Sequence, residues 1–272
     1  MIETKSIKFT IFLLCSVLLC GCTKERHYEN PSGPHFSLMT YNINWGGGQP
    51  ERTIEVIRRS NSDIVCLQET HTEWQCYLQQ ELGELYPFME FRETPNRAGG
   101  GLAFLSKTKG RQIDYIPSEN TFFDAWIMQF DTAAGPVEIL NVHLHPPVNE
   151  SGSFGVSGYF GSQDRRSEEI QRFYPYFTGE VPRIVAGDFN EGDDGDAVKW
   201  LADRGMTDAL AEFDRSTKTW RWKTSLMTLQ SRLDHIVYSS ELYCFRCQVI
   251  PYTGSDHYPL CGLWGLNETR DD

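Results

Sequence analysis

The segment "IVAGDFNEGDDGDAVKWL" (residues 184–201) joins an apolar run, a dense group of acids and the start of an amphipathic pattern. The β-branched residues over 183–189 predict a buried strand, and the turn that follows leads into a predicted helix over about 197–204. Asp188 and Asn190 are two residues apart at the end of this strand, so their side chains emerge on the same side. A carboxylate beside an amide can orient a water molecule or share a hard cation.

The other acids of this segment have a structural explanation. Asp196 precedes the apolar pattern and suits an N-cap position, and Asp193 and Asp194 lie where negative charge meets the positive end of a helix dipole. A calcium-binding EF-hand loop is excluded, because Asp193 stands where that loop needs glycine and Lys199 where it needs glutamate. We therefore assign chemistry to Asp188 and Asn190, and helix-start charge to Asp193, Asp194 and Asp196.

Short apolar runs of this kind, followed by polar turns or helical patterns, recur along the whole chain. Helices are predicted over about 50–60, 72–85, 164–178 and 197–204. Strands are predicted over 36–43, 63–69, 88–93, 101–107, 125–131, 137–144, 183–189, 233–239 and 259–265. Many strands with few, widely spaced helices favour an α/β fold in which two packed sheets carry helices on their outer faces.

Polar residues cluster where these strands end. Eight of them, rich in carboxylates and histidine, fall at or near the C-terminal end of an apolar run or in the turn after it: Asn42, Glu69, His143, Asp188, Asn190, Asp234, Asp256 and His257. One such residue means little, because turns are usually polar. Eight of them predict a single site assembled at one edge of a sandwich.

Residues 1–22 have the pattern of a secretory signal. Lys5 and Lys8 precede the apolar run "FTIFLLCSVLL" (9–19), and small residues follow. This run is too short to cross a bilayer as a helix of the mature protein.

The end of that signal, "LCGC" (19–22), resembles a bacterial lipobox, in which the last cysteine becomes the lipidated N-terminus. Here this residue is Cys22, and an ordinary signal peptide with an incidental cysteine is the alternative. Thr23 replaces the aspartate that usually retains such proteins at the inner membrane, which favours an outer-membrane anchor. We therefore expect an exported, membrane-anchored lipoprotein that faces the periplasm or the cell surface.

Residues 23–35, "TKERHYENPSGPH", are polar and turn-rich and predict a linker. The remainder, 36–267, is long enough for one large domain, which we expect to be a monomer. A net charge of −12 argues against an electrostatic grip on long nucleic acid. Cys244-x-x-Cys247 has half the spacing of a zinc site and no second pair, so a disulfide or two buried thiols is the better interpretation.

Six short motifs occur along the chain: "MTYNIN" (39–44), "CLQET" (66–70), "NVHLHP" (141–146), "GDFN" (187–190), "RLDHIVYS" (232–239) and "SDHYPL" (255–260). Together and in this order they resemble the endonuclease/exonuclease/phosphatase superfamily, the fold of DNase I and of exonuclease III-type repair nucleases. "TWRW" (219–222) resembles the aromatic segment before the family's Asp-bearing strand. The resemblance implies a four-layer α/β sandwich, in which helices flank two packed β-sheets. It also implies hydrolysis of phosphate esters with Mg²⁺ or Mn²⁺ by in-line attack of water.

Carried over residue by residue, the resemblance implies a metal site. Glu69 would be the principal ligand, Asn42 would help to position the metal or the phosphate, and Asp256 would serve the metal or an alternative metal position. Asn44 stands where repair-type members often carry a second acid, which favours one metal over two. Carboxylate oxygens are ligands that Mg²⁺ prefers.

The remaining residues would act on the phosphate and the attacking water. Asp188 would orient and deprotonate the water, and Asn190 would contact the phosphate. His257, oriented by Asp234, would stabilise charge on the phosphoryl oxygens, since an imidazole paired with a carboxylate has its cationic form stabilised. His143 would contact the phosphate or act as a general acid.

The substrate class stays open within this resemblance. An endo- or exonuclease is the leading interpretation, with short or single-stranded substrates favoured by the acidic composition. The alternatives are a phosphodiesterase or phosphatase acting on a lipid, an inositol phosphate or another small molecule, and a non-catalytic ligand-binding lipoprotein of the envelope. The presence of Glu69, Asp188 and His257 argues against the last. The sequence has no G-x-S-x-G and no H-E-x-x-H motif, so serine hydrolases and common zinc proteases have little support.

Overall fold

A computed structural model describes residues 25–94, 99–118, 121–147, 162–223, 225 and 227–267. The predicted signal segment with Cys22, and the first two residues of the predicted linker, lie outside these residues. Within the described part of the chain, no helix is both long enough and apolar enough to cross a membrane.

The first sheet has six strands. In the order in which they lie side by side they are β13 (Leu242–Val249), β14 (Leu260–Leu266), β1 (Phe36–Asn42), β2 (Ile64–Thr70), β4 (Gly101–Ser106) and β3 (Phe88–Arg92). The pair β1 and β2 is parallel, and the other neighbours are antiparallel. Both central strands are buried along almost their whole length, as expected for strands that are covered on both faces.

The second sheet also has six strands. They lie in the order β5 (Gly110–Ile116), β6 (Ala125–Thr132), β7 (Gly135–His143), β8 (Arg183–Asp188), β12 (Asp234–Tyr238) and β9 (Thr207–Asp208). Here β7 and β8 form the parallel pair. The strands β10 (Trp220–Lys223) and β11 (Thr228–Ser231) pair with each other in a separate hairpin, which precedes β12 in the sequence.

Helices cover the outer face of each sheet. Helices α1 (Pro50–Ser60) and α2 (Thr72–Leu82) pack on the first sheet, and α3 (Gln163–Phe173) and α4 (Asp196–Ala202) pack on the second. A third apolar cluster fills the space between the sheets and includes the short α5 (Ala209–Phe213). The order helix, sheet, sheet, helix confirms the predicted four-layer sandwich.

Two helices are shorter than predicted, and the reason is local. Helix α2 ends at Leu82, where Gly83 follows, instead of running to 85. Helix α3 ends at Phe173 instead of 178, because a single 3₁₀ turn containing Pro175 follows, and proline lacks the N–H that would continue the ladder.

Strands β5 and β13 and the hairpin β10–β11 were not predicted. Strand β5 is an edge strand, "GRQIDYI", with one fully buried residue, so it has no continuous apolar run. Strand β13, "LYCFRCQV", is also an edge strand, and a β-bulge between Cys244 and Arg246 interrupts its alternation. Edge strands face water on one side, so the apolar pattern that marks central strands is weak in them.

Part of the predicted linker contacts the domain. Arg26 Nη1 donates to Glu212 Oε1 at 2.8 Å and Arg26 Nη2 donates to the Cys244 carbonyl at 2.9 Å. The ring of Tyr28 lies 5.6 Å from that of Phe213, centroid to centroid. These contacts attach the first half of the predicted linker to α5 and β13, and the boundary between linker and domain stays a prediction.

The described cysteines are free thiols. Of the two interpretations left open for Cys244 and Cys247, the structure has the buried thiols. Burial raises the pKa of the Cys66 and Cys247 thiols well above the usual value. These three buried cysteines therefore act as small apolar core residues.

Gly187 is required where β7 and β8 pair. Its φ is 152°, and an added Cβ would lie 1.9 Å from the Val142 carbonyl oxygen of the neighbouring strand. We expect Gly187→Ala to lower the free energy of unfolding by about 2–3 kcal/mol, because backbone has to move to relieve the contact. Urea unfolding measures this loss. Gly179 is the control, since its φ of 76° is also positive but nothing lies within 4 Å of an added Cβ.

We expect Gly179→Ala to lower the free energy of unfolding by only about 1 kcal/mol, the price of a left-handed non-glycine residue. Equal losses in the two variants would show that the close approach to Val142 is not what matters.

Candidate active site

Three predicted site residues lie side by side across the second sheet. His143 is the last residue of β7 and pairs in register with Asp188, the last residue of the parallel strand β8. Asp188 also pairs in register with Asp234. The expectation that Asp234 lies at or near the C-terminal end of an apolar run is wrong, because it is the first residue of β12, within the strand predicted over 233–239. Since β12 is antiparallel to β8, its first residue lies at the edge where β8 ends.

The remaining residues come from the loops and from the first sheet. Asn42 ends β1 and Glu69 is the penultimate residue of β2, which is parallel to it. Asp256 and His257 lie in the turn between β13 and β14. Asn190 lies two residues after the end of β8. The structure thus brings all eight predicted residues to one edge of the sandwich.

Asp188 is the centre of this arrangement. Its Oδ2 accepts a hydrogen bond from Asn42 Nδ2 at 3.0 Å, and the Nε2 atoms of His143 and His257 each lie 3.6 Å from the same oxygen. Its Oδ1 accepts from the backbone N–H of Asn190 at 2.9 Å. The side chain is almost fully buried. Two imidazoles and an amide therefore converge on one buried carboxylate oxygen.

Each imidazole is oriented by a contact at its other nitrogen. His143 Nδ1 donates to the Gly99 carbonyl at 3.1 Å, and its ring stacks on Phe123 with centroids 4.1 Å apart. His257 Nδ1 lies 2.9 Å from Asp234 Oδ2. A separation of 3.6 Å is too long for a hydrogen bond, so both Nε2 atoms face Asp188 without being bonded to it.

His257 is held in its cationic form. Burial by itself lowers the pKa of this imidazole, but the charges of Asp234 and Asp188 and the hydrogen bond to Asp234 outweigh burial and raise its pKa to about 10. An imidazolium at neutral pH is a donor at both nitrogens. His257 therefore offers a charged Nε2–H at the centre of the site.

Glu69 is the carboxylate best placed to bind a cation. It is half-buried, its Oε1 accepts from Asn42 Nδ2 at 2.9 Å, and its Oε2 accepts from the backbone N–H of Trp45 at 2.8 Å. Each oxygen keeps a lone pair beyond the bond that it accepts. Asn42 turns its amide nitrogen to both carboxylates, and its oxygen accepts from the backbone N–H of Asn44 at 3.0 Å.

Asp256 is joined to this group through Asn44. Asn44 Nδ2 donates to Asp256 Oδ1 at 2.8 Å, and Trp220 Nε1 donates to Asp256 Oδ2 at 3.0 Å. In the sequence, Asn44 stood out only because repair-type members often carry a second acid at this position. In the structure it holds the Asp256 carboxylate. Glu69 and Asp256 are both half-buried and offer carboxylate oxygens, the donor type that suits a hard cation with several retained waters.

A second group of ligand atoms is less suited to such a cation. Asp188, Asp234 and His257 place one ligand atom each within 4.8 Å of one another. All three are buried, and the Nδ1 of His257 is already bonded to Asp234. The two buried carboxylates already balance the positive charge of the protonated His257 imidazole, which accounts for this group without a metal ion.

Backbone strain is concentrated at this site. Among described residues other than glycine, φ is positive at Asn44 (61°), Glu69 (62°), Asn190 (53°) and Asn61 (49°). Three of these four belong to the site, and Asn61 is the C-cap of α1. Left-handed backbone at non-glycine residues costs on the order of 1 kcal/mol each and is typical of functional sites.

Two supporting residues had no recognisable signal in the sequence. Thr219 Oγ1 accepts from the backbone N–H groups of Leu233 at 2.9 Å and Asp234 at 3.0 Å, and so fixes the start of β12. Phe123 forms the stacking surface of His143. Thr219 begins the quoted "TWRW" segment, so the resemblance pointed to its position but not to its contact.

The prediction that Asp196 caps α4 is wrong. Gly195 is the N-cap, and the buried Glu191 accepts from the N–H groups of Ala197 at 2.8 Å and Val198 at 3.0 Å through Oε1. A glutamate reaches these groups from the preceding loop because its side chain is longer. Asp193 was predicted to be helix-start charge, and it pairs with Arg232 at 2.9 Å.

His235 gives the fold a measurable pH dependence. Its Nδ1 lies 2.6 Å from Asp208 Oδ2 and its Nε2 lies 3.0 Å from the Glu191 carbonyl. Burial lowers the pKa of His235, but the charge of Asp208 and these bonds raise it to about 9. A folded-state pKa above the unfolded value of about 6.5 gives stability that is complete below about pH 6.5 and lost as pH rises through the folded value.

We therefore expect the free energy of unfolding to fall more steeply between about pH 7 and 9.5 in the wild type than in His235→Gln. Urea unfolding at several pH values measures the two slopes. His257 contributes in the same direction but is present in both proteins, so the difference isolates His235. Identical slopes would mean that His235 is neutral in the folded state.

Comparison with known proteins agrees with this geometry. Residues 39–257 match the model of the Endonuclease/Exonuclease/phosphatase family. None of the curated proteins compared with the chain matches it.

Several solved structures have the same fold. An endonuclease/exonuclease/phosphatase from Beutenbergia cavernae aligns with a TM-score of 0.64 and 16% identity, over 86% of this chain and 72% of that one. D. rerio TDP2, solved with a single-strand DNA product, aligns with a TM-score of 0.62 and 15% identity, over 85% and 99%. The human Nocturnin catalytic domain, solved with a sulfate anion, aligns with a TM-score of 0.62 and 19% identity, over 86% and 95%.

Proposed function

Because the chain belongs to the endonuclease/exonuclease/phosphatase family, a family of metal-dependent phosphoesterases, we propose that it hydrolyses phosphodiesters with Mg²⁺ or Mn²⁺ and an attacking water. The observation that carries the proposal is the convergence of Asn42, His143 and His257 on Asp188 Oδ2. Such a group offers one carboxylate to accept a proton and two imidazoles to donate to phosphate oxygens, which is what attack on a phosphodiester requires.

Asp188 takes the proton of the attacking water in this proposal. Its Oδ1 is held by the Asn190 N–H and its Oδ2 by the Asn42 amide, so the carboxylate cannot rotate freely. A bond forms between the water oxygen and phosphorus as the bond from phosphorus to the alcohol oxygen breaks. The side chain of Asn190 is proposed to contact the phosphate from the same loop.

The two histidines act on the phosphate side. His257, kept cationic by Asp234, donates Nε2–H to a phosphoryl oxygen on which charge develops. In its doubly protonated form, with Nδ1–H on the Gly99 carbonyl, His143 is proposed to contact the phosphate through Nε2–H or to give that proton to the leaving alcohol oxygen. Because the Gly99 carbonyl holds its Nδ1, the ring keeps this orientation through the reaction.

Glu69 and Asp256 are proposed to hold the cation, and Asn42 keeps Glu69 in position. Mg²⁺ or Mn²⁺ held by these carboxylates would supply neutralisation of the charge on the phosphate oxygens. One metal is proposed, since Asn44 takes the place of a second acid and its amide nitrogen donates to Asp256.

A nuclease for short or single strands is a second, finer candidate. The fold it shares with D. rerio TDP2, which was solved with a single-strand DNA product, supports this candidate. The net charge of −12 argues against long duplex substrates. A purely ligand-binding role has less support, because the assembled site retains its acids and its charged imidazole.

The proposed function is tested by hydrolysis assays on the purified full-length chain in detergent. Bis-p-nitrophenyl phosphate, single-stranded DNA, RNA and plasmid DNA are compared with Mg²⁺, with Mn²⁺ and with EDTA. We expect phosphodiester hydrolysis that needs the cation. No turnover of any of these substrates by folded, metal-supplied protein would count against the proposal.

We also propose that the protein is exported and anchored through a lipid on Cys22, in agreement with the sequence pattern alone. Labelled fatty acid should enter the wild-type protein in bacterial cells and should not enter Cys22→Ser. Equal labelling of the two proteins would remove this proposal and leave the enzymatic one unaffected.

A further inference from the structure

A groove of about 810 Å³ opens beside the proposed metal ligands. It runs from the loop after β1 across the first turns of α1 and α2. We call it the aromatic groove and define it by four rings and three carboxylates in its wall: Trp45, His71, Trp74, Tyr77, Glu51, Glu73 and Glu93. Its volume is within the range of about 300–1,000 Å³ that is usual for small-molecule sites.

The four rings form a continuous row. The centroid of Trp45 is 5.9 Å from that of His71, which is 6.3 Å from Trp74, and Trp74 is 6.3 Å from Tyr77. The row is held at one end by His71 Nε2, which lies 3.1 Å from the Trp45 carbonyl oxygen. Trp45 is 46% exposed, which is unusual for the largest aromatic side chain in a region this close to buried polar groups.

The charge of the groove has one sign. Its described lining contains three glutamates and no lysine or arginine. Thr72 Oγ1 donates to Glu93 at 2.7 Å, but a neutral hydroxyl leaves the charge in place. Carboxylates and the negative faces of aromatic rings both attract cations, and their combination is the usual receptor for an ammonium group. The same charges repel the successive phosphates of a nucleic acid strand.

The groove begins at the proposed catalytic centre. The backbone N–H of Trp45 donates to Glu69 Oε2 at 2.8 Å, and Asn44, another lining residue, donates to Asp256 at 2.8 Å. If the phosphate lies at Glu69 and Asp188, a substituent that reaches the rings would be separated from the phosphorus by only a few covalent bonds. The position suits one of the two alcohols of a phosphodiester.

We propose that the aromatic groove binds an ammonium group carried by the substrate, so that the protein prefers small zwitterionic phosphodiesters with one phosphate and one organic cation. This inference rests on the proposed phosphodiesterase function and specifies its substrate class. The rings contact the cation and its alkyl groups, and the glutamates supply the opposite charge. A nucleic acid strand is the competing substrate and is an outcome of the test.

The test compares two chromogenic esters of the same shape. One is p-nitrophenyl phosphorylcholine, and the other is p-nitrophenyl 3,3-dimethylbutyl phosphate, in which carbon replaces the quaternary nitrogen. Both release p-nitrophenol, so the ratio of their kcat/KM values reports recognition of the positive charge. We expect the wild type to favour the cationic ester by about tenfold, because the cation–π contact and the charges of the glutamates act together.

Glu73→Gln removes one charge from the groove at nearly constant shape and should lower this ratio severalfold. The matched control is Glu84→Gln, which makes the same change at an exposed position outside the groove and should keep both the ratio and the activity. Trp45→Ala should lower the ratio further by removing the ring at the mouth.

Failure of the inference and failure of the proposed function give different results. Hydrolysis of both esters at equal kcat/KM, or a ratio that Glu73→Gln does not change, overturns the inference and leaves the phosphodiesterase standing. A higher kcat/KM for a short single-stranded DNA than for the cationic ester also overturns it, in favour of a nuclease. Hydrolysis of neither ester nor DNA with Mg²⁺ or Mn²⁺ removes the proposed function and the inference with it.

Discussion

Replacing Asp188 by asparagine should lower kcat/KM for phosphodiester hydrolysis by about 10³-fold or more. The change keeps the shape of the side chain but removes the only charge on which Asn42, His143 and His257 converge. An amide is a very weak base, so proton transfer from the attacking water is lost, and loss of a positioned general base alone typically costs about 10²–10⁴ in rate. The loss should appear mainly in kcat.

The control for this variant is Asp194→Asn, the same substitution at an exposed acid in the following loop. We expect Asp194→Asn to retain wild-type kinetics. Thermal unfolding should show both variants folded, so that a rate loss in Asp188→Asn is not a loss of protein. A decrease of tenfold or less in kcat/KM would mean that Asp188 is not the base.

The largest effect on stability is expected at Arg166. Its guanidinium is fully buried, its Nε lies 3.2 Å from Glu191 Oε2, and Glu191 is fully buried as well. Arg166→Met leaves the Glu191 charge without its partner, and breaking a buried ion pair in this way costs about 3–5 kcal/mol. Urea unfolding measures the loss, and Arg172→Met, on the same helix but half-buried, is expected to change stability little.

A second substitution separates the two causes of this loss. If the unpaired charge is responsible, Arg166→Met combined with Glu191→Gln should recover part of the stability, because a neutral amide is cheaper to bury than a carboxylate. If the double variant is less stable than Arg166→Met, the hydrogen bonds of Glu191 to α4 matter more than its charge.

Residues of the site were predictable where they follow strongly patterned strands. Asn42, Glu69, His143 and Asp188 each end or nearly end a central strand, and central strands have the apolar runs that a sequence shows clearly. Asp234 was found by its motif, and the predicted strand 233–239 already placed it near a strand start. Its pairing with the last residue of β8 was not predicted, because it depends on whether β12 is parallel or antiparallel to β8, which local pattern does not determine.

Contacts between distant polar residues were not predictable. The structure buries Arg166 against Glu191, and nothing in the local pattern of α3 predicts this pair. Nothing in a single sequence links two residues 25 positions apart without a motif. Asp196 was favoured as a cap because it has the right residue type at the right place, but Glu191 bonds the same N–H groups from the preceding loop. In the first case the partner is distant in the chain, and in the second it lies six or seven residues before the groups that it bonds.

The Asn42 amide connects the two sheets, since it donates to Glu69 of the first and to Asp188 of the second. The proposed base and the proposed metal ligand thus belong to separate sheets. The distance between the two carboxylates therefore depends on how the sheets pack at that edge. A substitution in the apolar interface that shifts one sheet by a few tenths of an ångström would misalign attack while leaving most contacts intact. We therefore expect kcat to respond more strongly than the melting temperature to small changes in the relative position of the two sheets.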